Sequence, residues 1–426
     1  MSKSLRRAAH LTTTKSQPAD HSASTPPIPR AEYMHRRERI LKALGPSAAI
    51  VLSGTQEGDK FEADASFDYL TGITTEAGAA VLFDPGHEDP KRRIVLFLKP
   101  LMPEVDRWEG LREELSANLR ERLGFRTILR TSALPMWLTV AARRSKSLAC
   151  LHPFATYPAA PSEDLKTYKL VAERIPGVAI LDRTDLLAAM RAVKSPGELA
   201  LMRRAIDITA RGFDAALRTL EPGLGEGALQ RAIETAYAAA GGQGLAYGSI
   251  VGSGLAGTVL HYHANNAETP AGDLVVIDSG AKFGSYCADI TRTLPVSGRF
   301  TREQRAVYDV VLMAQEAAIA AVRPGARMHE VDAAARSVIE RAGLGDAFIH
   351  GVGHHLGLRV HDIDPRAPLA PGHVVTIEPG VYLPQRRLGI RIEDDILVTP
   401  RGRENLSKSI PKTVEEIEHA MAARGT

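Results

Sequence analysis

The chain of 426 residues is long enough for two or three domains, at roughly 150 residues per domain. Its 53 Lys and Arg against 50 Asp and Glu leave a formal charge of +3, and 44% of the chain is hydrophobic, so the composition is globular and disfavours a nucleic-acid binder. Two cysteines exclude a disulfide framework, and no apolar run approaches the roughly 20 residues that span a bilayer. We therefore expect a cytoplasmic protein without nucleic-acid or membrane partners.

Residues 1–30 are rich in Ser, Thr, Pro and Arg and lack the apolar segment of a secretory signal. This composition predicts a disordered tail. An organelle transit peptide is the alternative, because the segment contains Arg and few acids. Pro18, Pro26, Pro27 and Pro29 disfavour the amphipathic helix that such a peptide forms.

Residues 31–190 alternate apolar runs with helical patterns. The apolar runs predict strands over 48–52, 79–83 and 94–98, and the periodicity of 111–123 predicts a helix. This alternation indicates a small α/β domain.

A second domain is predicted over 191–426, and it opens on a clear helix start. Ser195 is a candidate N-cap, Pro196 takes the first helical position and Glu198 completes a capping box. The helix should run to about residue 220, and a second helix should end at the two glycines 241–242.

The same signals recur further along the chain. Thr301 and Gln304 form another capping box, and the Pro-Gly pair at 222–223 recurs 102 positions later at 324–325. A second helix again ends at Ala-Gly, here at 342–343. The recurrence indicates a duplicated unit of two helices followed by strands, with coincidental turn chemistry as the alternative. A site between two such halves would take ligands from both.

Acidic residues interrupt the apolar strand patterns of this domain. Asp278 and Asp289 fall on the two strands of a predicted β-hairpin, and Glu378 lies in a later strand over 374–379. Taken singly, each acid would be an ion-paired strand residue.

A third acidic strand is predicted over 389–396. The alternation of side chains along a strand places Arg391, Glu393 and Asp395 on one face. Arg391 is therefore expected beside Glu393.

Four of the 14 histidines lie between residues 350 and 361, namely His350, His354, His355 and His361. A lone histidine is usually structural, but carboxylates converging to about 4 Å would repel by roughly 4 kcal/mol at an effective dielectric of about 20. Divalent cations remove that cost. One imidazole with four carboxylates suits Mn²⁺, with Co²⁺ or Zn²⁺ as alternatives.

The five candidate metal ligands lie in distinctive motifs. Asp278, Asp289, His354, Glu378 and Glu393 are set in DSGA, ADITRT, HGVGHHLG, TIEPG and GIRIEDD. These motifs closely resemble those of the proline-specific metallopeptidases of the pita-bread fold, aminopeptidase P and prolidase. The resemblance extends from about residue 194 to residue 417.

The N-terminal part supports the same family. Arg36, Arg37 and the segment FDYLTG at 67–72 are similar to the N-terminal domain of aminopeptidase P. The resemblance implies an α/β (α+β) protein in which a smaller α/β N-terminal domain precedes a C-terminal pita-bread (creatinase/aminopeptidase) domain. The latter would contain a pseudo-two-fold duplicated helix pair and an antiparallel sheet.

The family resemblance implies two divalent metal ions per chain. Asp289 and Glu393 would bridge the ions, Asp278 would chelate one, and His354 with Glu378 would complete the other. The ions would lower the pKa of a shared water from about 15.7 toward about 7, so that a metal-bridging hydroxide attacks the peptide at neutral pH.

The resemblance also implies catalytic and substrate-binding side chains. Glu378 would carry a proton from water to the leaving amine, and His261 and His361 would stabilise the tetrahedral intermediate. Arg391 would orient the site or bind a substrate carboxylate. His350 would bind substrate at the cleft together with His361 and Arg391.

Some residues depart from the family pattern or have no implied role. Arg359 stands where the family commonly has Asp, and the segment over 342–350 is short, which bears on substrate preference. Cys287 shares a strand face with Asp289 and is expected to pack rather than to bind metal. His263 and His355 have no role.

The expected function is the removal of the N-terminal residue from peptides whose second residue is proline, by a homo-oligomer (dimer or tetramer). The alternative is prolidase, in which Arg391, Arg359 or an arginine of the N-terminal domain would hold the free carboxylate of an X-Pro dipeptide. A methionine aminopeptidase, a creatinase-like enzyme and a non-catalytic pita-bread binding module are further alternatives, and the complete ligand set disfavours the last two.

Overall fold

The computed structural model describes residues 28–56, 61–102, 104, 107 and 112–423. The N-terminal part contains α1 (Arg30–Ala43), β1 (Ala49–Leu52), α2 (Ala65–Thr71), β2 (Ala80–Phe83), β3 (Ile94–Leu98), α3 (Ala117–Leu123), β4 (Thr127–Arg130), α4 (Leu134–Ser145), β5 (Ser147–Cys150), α5 (Glu163–Arg174), β6 (Ala179–Asp182) and α6 (Thr184–Ala192). Most of the predicted tail over 1–30 lies outside the described residues.

The C-terminal part begins with α7 (Pro196–Thr219), α8 (Glu226–Ala239), β7 (Ile250–Ser253), β8 (Leu274–Ser279), β9 (Lys282–Phe283), β10 (Tyr286–Cys287) and β11 (Ile290–Pro295). It continues with α9 (Arg302–Ala321), α10 (Met328–Arg341), β12 (Val374–Ile377), β13 (Gly380–Leu383), β14 (Leu388–Arg391), β15 (Asp394–Thr399), β16 (Gly402–Asn405) and α11 (Val414–Ala422).

The N-terminal part is built on a mixed sheet. Strands β1, β2 and β3 pair antiparallel, and β4 adds parallel to β3. The parallel pair of β5 and β6 joins this sheet through a bridge between Ala48 and Leu148. The three predicted strands are confirmed, with β1 and β2 each beginning one residue later than expected.

The helix predicted over 111–123 is wrong in its first half. Helix α3 begins only at Ala117, because Ser116 has an extended backbone and its hydroxyl accepts a hydrogen bond from the Leu119 amide at 3.0 Å. This is an N-cap, and an N-cap residue lies outside the helical backbone. Residues 112–116 form no regular element, and residue 111 lies outside the described residues.

The helix starts predicted in the C-terminal part are confirmed. Ser195 and Thr301 each accept a hydrogen bond from the amide three residues on, at 3.2 Å, and the Glu198 and Gln304 side chains complete the capping boxes. These bonds satisfy amides that the helix itself leaves unpaired.

The duplicated helix pair is also confirmed. Helices α8 and α10 have 14 residues each, and every boundary of one lies 102 positions from that of the other, as 226 and 328 or 239 and 341. Gly223 and Gly325 both have left-handed backbones, with φ of +87° and +85°, which is why glycine recurs at this turn.

The hairpin predicted at Asp278 and Asp289 is present. Strands β8 and β11 pair antiparallel with Thr291 opposite Asp278, and Asp289 directly precedes β11. Strand β7 adds to the other edge of β8. The two acids therefore lie on neighbouring strands at one end of this sheet.

The single strand predicted over 389–396 is wrong. It is divided into β14, which pairs with β13, and β15, which pairs with β12 and β16. Ile392 and Glu393 lie between the two strands, where the Glu393 amide donates to the Thr291 carbonyl of another sheet at 3.1 Å. The change of strand partner breaks the alternation on which the prediction depended.

One apolar cluster joins the two parts of the chain. It contains Leu70 and Phe83 from the N-terminal part and Met202, Tyr286 and Leu356 from the C-terminal part. A separate, larger cluster lies among the duplicated helices and the C-terminal strands. Within the described ranges, no helix has the length and apolar character that crossing a bilayer requires.

Candidate metal centre

A cavity of about 500 Å³ in the C-terminal part brings the predicted site residues together. Every predicted ligand, catalytic and substrate-binding residue lines it: His261, Asp278, Asp289, His350, His354, His361, Glu378, Arg391 and Glu393. His263 also lines the cavity, whereas His355 does not. Residues separated by more than 100 positions in the chain therefore share one site.

Strand ends position the acidic side chains. Asp278 lies in β8, Asp289 directly before β11, Glu378 directly after β12 and Glu393 between β14 and β15. Donor atoms of Asp289, His354 and Glu393 all lie within 4.8 Å of one another. Both halves of the duplicated unit thus contribute carboxylates, as the sequence predicts.

The loop that contains Gly353 and His354 packs directly against β12. A Cβ atom at Gly353 would lie 1.9 Å from the Thr376 carbonyl oxygen, so only glycine permits this approach. The His354 amide then donates to the Thr376 hydroxyl at 3.0 Å, and the Thr376 amide donates back to the His354 carbonyl at 2.9 Å. Gly353 therefore permits the backbone contacts that hold His354 in position.

Hydrogen bonding sets the tautomer of His354. Its Nδ1 lies 3.2 Å from the His355 carbonyl oxygen, which only accepts, so Nδ1 carries a proton. Nε2 lies 3.4 Å from both Asp289 Oδ2 and Glu378 Oε1. A ring nitrogen aimed at carboxylates while the other nitrogen donates to a backbone carbonyl is the usual arrangement of a metal-binding histidine.

Three carboxyl groups of the cavity have raised pKa values. Burial raises the pKa of Glu378 to about 7, and repulsion by Asp289 and Asp278 adds to the effect while His354 opposes it. Burial and the neighbouring acids also raise the pKa of Asp278 and Glu393. These shifts are the electrostatic strain that a cation would relieve.

Two side chains donate hydrogen bonds to Asp278 and Asp289. The sequence predicted only one of them as a site residue, Arg391. Arg391 donates to Asp278 Oδ2 at 2.7 Å. The Tyr247 hydroxyl contacts Asp278 Oδ1 and lies 2.5 Å from Asp289 Oδ1. Burial and both aspartates raise the pKa of Tyr247 well above its ordinary value, so it remains a donor. Tyr247 lies in none of the motifs. The one signal that could have pointed to it is that two neighbouring aspartates need hydrogen-bond donors.

Arg391 and Glu393 are not direct neighbours as predicted. Glu393 Oε2 accepts from the Thr291 hydroxyl at 2.7 Å, and Arg391 Nε lies 3.3 Å from the same hydroxyl oxygen. Thr291 therefore links the two side chains, because the strand predicted to hold them side by side is interrupted.

His350 belongs to a hydrogen-bonded chain at the cavity wall. Its Nδ1 bonds the Gly351 carbonyl at 2.8 Å and must carry the proton, so Nε2 accepts from the Tyr382 hydroxyl at 2.9 Å. Arg391 donates to the same hydroxyl at 2.9 Å. Burial lowers the pKa of His350 to about 4, so the ring is neutral.

The three other cavity histidines contact neighbouring imidazole rings. The rings of His361 and His354 meet edge to face with centroids 4.1 Å apart, and burial lowers the pKa of His361. His261 and His263 are exposed and stack with centroids 6.3 Å apart. His361 thus lies against the acidic cluster, and His261 lies at the opening.

Arg359 and Cys287 are the two remaining residues that the sequence singled out, and the structure shows their contacts. Arg359 is directed away from the cavity, where it contacts Glu62 and donates to the Ala63 carbonyl at 3.0 Å. Cys287 is 1% exposed, lies 3.8 Å from the Leu358 carbonyl oxygen and does not line the cavity. The expectation that Cys287 packs is confirmed.

The donor set of the cavity fits divalent cations. Four carboxylates face one permanently charged cation, Arg391, among the described lining residues, and His354 directs Nε2 toward Asp289 and Glu378. Oxygen donors with one imidazole suit Mn²⁺, Co²⁺ or Zn²⁺, and no thiol lines the described cavity wall.

Comparison with known proteins gives concordant matches over both parts of the chain. Residues 200–400 match Metallopeptidase family M24, and residues 33–149 match the Aminopeptidase P, N-terminal domain. The Xaa-Pro aminopeptidase of Escherichia coli is 34% identical, over 93% of this chain and 98% of its own. The solved structure of proline aminopeptidase P II from Yersinia pestis has a TM-score of 0.82 at 32% identity, covering 93% of this chain and 100% of that one.

The structure of Escherichia coli aminopeptidase P with the inhibitor Pro-Leu has a TM-score of 0.83 at 31% identity and covers 93% of this chain and 99% of that one. The matches extend across the N-terminal part as well as the ligand motifs. The chain therefore belongs to the M24 metallopeptidases, in the aminopeptidase P and prolidase family that its motifs indicate.

Proposed function

We propose that this protein is a metal-dependent Xaa-Pro aminopeptidase, which hydrolyses the first peptide bond of chains whose second residue is proline. The observation that carries the proposal is the single cavity in which four carboxylates and His354 meet. The match to Xaa-Pro aminopeptidases over 93% of the chain, N-terminal part included, supports the substrate class. X-Pro bonds are tertiary amides without an N–H, which a general peptide-binding site does not accommodate.

Two divalent ions, with Mn²⁺ as our proposal, would be held by the five predicted ligands. Asp289 and Glu393 would bridge them, Asp278 would hold one, and His354 with Glu378 would complete the other. Such ions supply charge stabilisation and a nucleophilic water at neutral pH.

Glu378 is the proposed proton carrier. Burial holds its pKa at about 7 in the metal-free protein, and Thr376 and His354 lie 3.5 and 3.4 Å from its Oε1. We assign it the proton of the attacking water, which it would return to the proline nitrogen as the C–N bond breaks.

Two further histidines are assigned to the substrate. His361 lies beside the ligands and His261 at the cavity opening, so both could donate hydrogen bonds to the oxygen of the scissile carbonyl as negative charge develops there. Arg391 is assigned to orienting Asp278 and Tyr382, because its guanidinium is buried and already bonded to both.

Prolidase activity is disfavoured by the positions of the arginines. A dipeptidase needs a cation for the free carboxylate of its substrate. Arg359 is bound by Glu62 and Arg391 by Asp278, so the two candidates from the C-terminal part are engaged elsewhere. Among the described residues that line the cavity, Arg391 is the one permanent cation and is paired with Asp278, which favours longer peptides.

The deciding experiment compares an X-Pro dipeptide with an X-Pro-Y-Z tetrapeptide as substrates of the Mn²⁺-loaded protein. A chelator-treated sample is the control, and the metal content of each sample is measured. Cleavage of the tetrapeptide by the loaded sample alone is expected. Cleavage of the dipeptide alone would transfer the assignment to prolidase, and cleavage of neither with two ions bound would refute a proline-specific peptidase.

Cytoplasmic localisation and a dimeric or tetrameric state complete the proposal. Gel filtration with light scattering of the purified protein measures the second. A monomer at micromolar concentration would contradict it.

A further inference from the structure

A second cluster of metal-ligand side chains lies in the N-terminal part, apart from the catalytic cavity. Cys150 ends β5, His152 follows two residues later, and Asp164 lies in the first turn of α5. The Cys150 sulfur, a ring nitrogen of His152 and a carboxylate oxygen of Asp164 all lie within 4.8 Å of one another. None of the three lines the cavity that holds the predicted site.

Three oxygen atoms lie within hydrogen-bond distance of one nitrogen of this cluster. His152 Nδ1 lies 3.0 Å from both carboxylate oxygens of Asp164 and 2.9 Å from the Ser162 hydroxyl. Ser162 occupies the N-cap position of α5, yet its side chain makes no capping bond and is directed to the histidine instead. The Leu165 amide also donates to Asp164 Oδ1 at 2.8 Å, so this carboxylate accepts from the helix backbone while it faces His152.

The thiol is buried without a partner. Cys150 is 3% exposed, and its sulfur forms no hydrogen bond with any residue that the structure describes. Asp182 lies opposite Cys150 in the β5–β6 pairing. Burial, together with Asp164 and Asp182, raises the pKa of the Cys150 thiol to about 12. A cation bound at this position would coordinate the sulfur, the nitrogen and the carboxylate together.

The ligand set specifies the ion. Zn–N distances of about 2.0–2.1 Å and Zn–S distances of about 2.3 Å place the ligands of a tetrahedral site roughly 3.3–3.6 Å apart, so the cluster needs only small side-chain shifts. Thiolate with imidazole suits Zn²⁺ and disfavours Mn²⁺. A neighbouring cavity of about 660 Å³, lined by Cys150, His152 and Ser162, has room for water as the fourth ligand.

We propose that Cys150, His152 and Asp164 form a mononuclear zinc site, independent of the dinuclear catalytic centre. The site would join the end of β5 to α5 and close the loop 153–161 at its base. In this loop the Tyr157 side chain is fully exposed and Phe154 is 57% exposed, with the guanidinium carbon of Arg366 3.8 Å from the centroid of the Phe154 ring. Closing such a loop stabilises the fold by restricting the unfolded chain.

Cobalt substitution tests the proposal, because Co²⁺ bound by thiolate has a near-ultraviolet charge-transfer band that oxygen and nitrogen ligands do not give. The metal-free full-length protein is titrated with Co²⁺, and zinc content is measured in parallel after saturation and dialysis. We expect the thiolate band and three zinc ions per chain. Cys150→Ser should lack the band and retain two zinc ions, while Cys287→Ser, the matched control, should behave as the wild type.

The aminopeptidase activity of Cys150→Ser with Mn²⁺ is expected to equal that of the wild type, which separates this site from the catalytic centre. A wild-type protein saturated with Co²⁺ that shows no thiolate band overturns the proposal. A band that persists in Cys150→Ser overturns it as well. The wild-type spectrum decides the matter even where a variant folds poorly.

Discussion

Arg191 and Asp362 form a buried ion pair between the two parts of the chain. Each side chain is 3% exposed, and the pair joins α6 to the loop that carries His361. Arg191 also donates to the Ser66 hydroxyl at 3.1 Å, and Asp362 accepts from the Leu358 amide at 3.2 Å. The N-terminal part therefore fixes the residue that directly follows His361.

Replacing Arg191 by Met should lower kcat more than it changes KM, because His361 loses its support while the metal ligands stay in place. Removal of one partner of a buried ion pair costs about 3–5 kcal/mol of stability. Misplacement of a catalytic group by about 1 Å costs about 100-fold in rate. We expect a lower Tm and a kcat reduced about 10- to 100-fold at unchanged metal content.

The matched control is Arg183→Met. Arg183 directly precedes the same helix, and its side chain is 32% exposed and contacts Asp185 and the Ala43 carbonyl. Steady-state kinetics and calorimetry should show near-wild-type values for it. If Arg191→Met lowers Tm but leaves kcat unchanged, the ion pair stabilises the fold without positioning His361.

Tyr247→Phe should weaken metal binding. The Tyr247 hydroxyl contacts Asp278 and Asp289, and loss of such an outer partner typically lowers metal affinity about 10- to 100-fold. Isothermal titration with Mn²⁺ measures the change. Tyr237→Phe is the control, because its buried hydroxyl bonds the Ser279 hydroxyl at 2.9 Å rather than a ligand. Equal affinities in the two variants would contradict the role of Tyr247.

Local signals in the sequence predicted the helix starts of the C-terminal part well, although not the start of α3 in the N-terminal part. Ser195 and Thr301 determine the helix starts, because their side chains accept hydrogen bonds from the amides three residues on. Gly223 determines a turn because its backbone is left-handed. The ligands were predictable because each lies in a compact motif. Such features depend on neighbours in the chain.

The contacts that complete the site depend on distant residues, and the sequence did not reveal them. Tyr247 reaches Asp289 across 42 positions and Arg191 reaches Asp362 across 171. The strand over 389–396 was mispredicted for the same reason, since the break depends on which strands pair with each half. Alternation within a segment carries no information about its partners.

Asp289→Ala should abolish metal binding and activity together. Donor atoms of Asp289, His354 and Glu393 lie within 4.8 Å of one another, so Asp289 belongs to the most closely spaced donors of the site. Metal analysis after dialysis, with turnover of an X-Pro peptide, measures both. Asp332→Ala, which removes an acid that accepts from the Val352 amide outside the cavity lining, is the control. Two tightly bound ions in Asp289→Ala would refute the bridging role.

The stability of the metal-free protein should fall at alkaline pH. Although burial opposes it, pairing with Asp289 and Glu378 raises the pKa of His354 from 6.5 to about 9, and burial raises that of Glu378 from 4.5 to about 7. A raised pKa stabilises the fold below the unfolded value, and this contribution is lost between 4.5 and about 7 for Glu378 and between 6.5 and about 9 for His354. The alkaline fall therefore comes from His354.

Buried histidines act in the opposite direction at acid pH. Burial lowers the pKa of His350 and of His373 to about 4, so their contribution is present above 6.5 and is lost as the pH falls toward 4. Calorimetry across this range should give a Tm maximum near neutrality without metal. With Mn²⁺ the alkaline fall should disappear, since the ions replace the protons. An equal alkaline fall in both samples would contradict the electrostatic account of the ligand cluster.

His361→Ala should leave the metal ions bound while turnover collapses. The ring touches His354 but contributes no donor atom to the group that Asp289, His354 and Glu393 form. Burial lowers its pKa, so the neutral imidazole can donate one hydrogen bond to the substrate at pH 7. Loss of such a group typically costs about 10²- to 10⁴-fold. His263→Ala, at the exposed edge of the same cavity, should retain most activity, and an unchanged kcat/KM in His361→Ala would remove it from the mechanism.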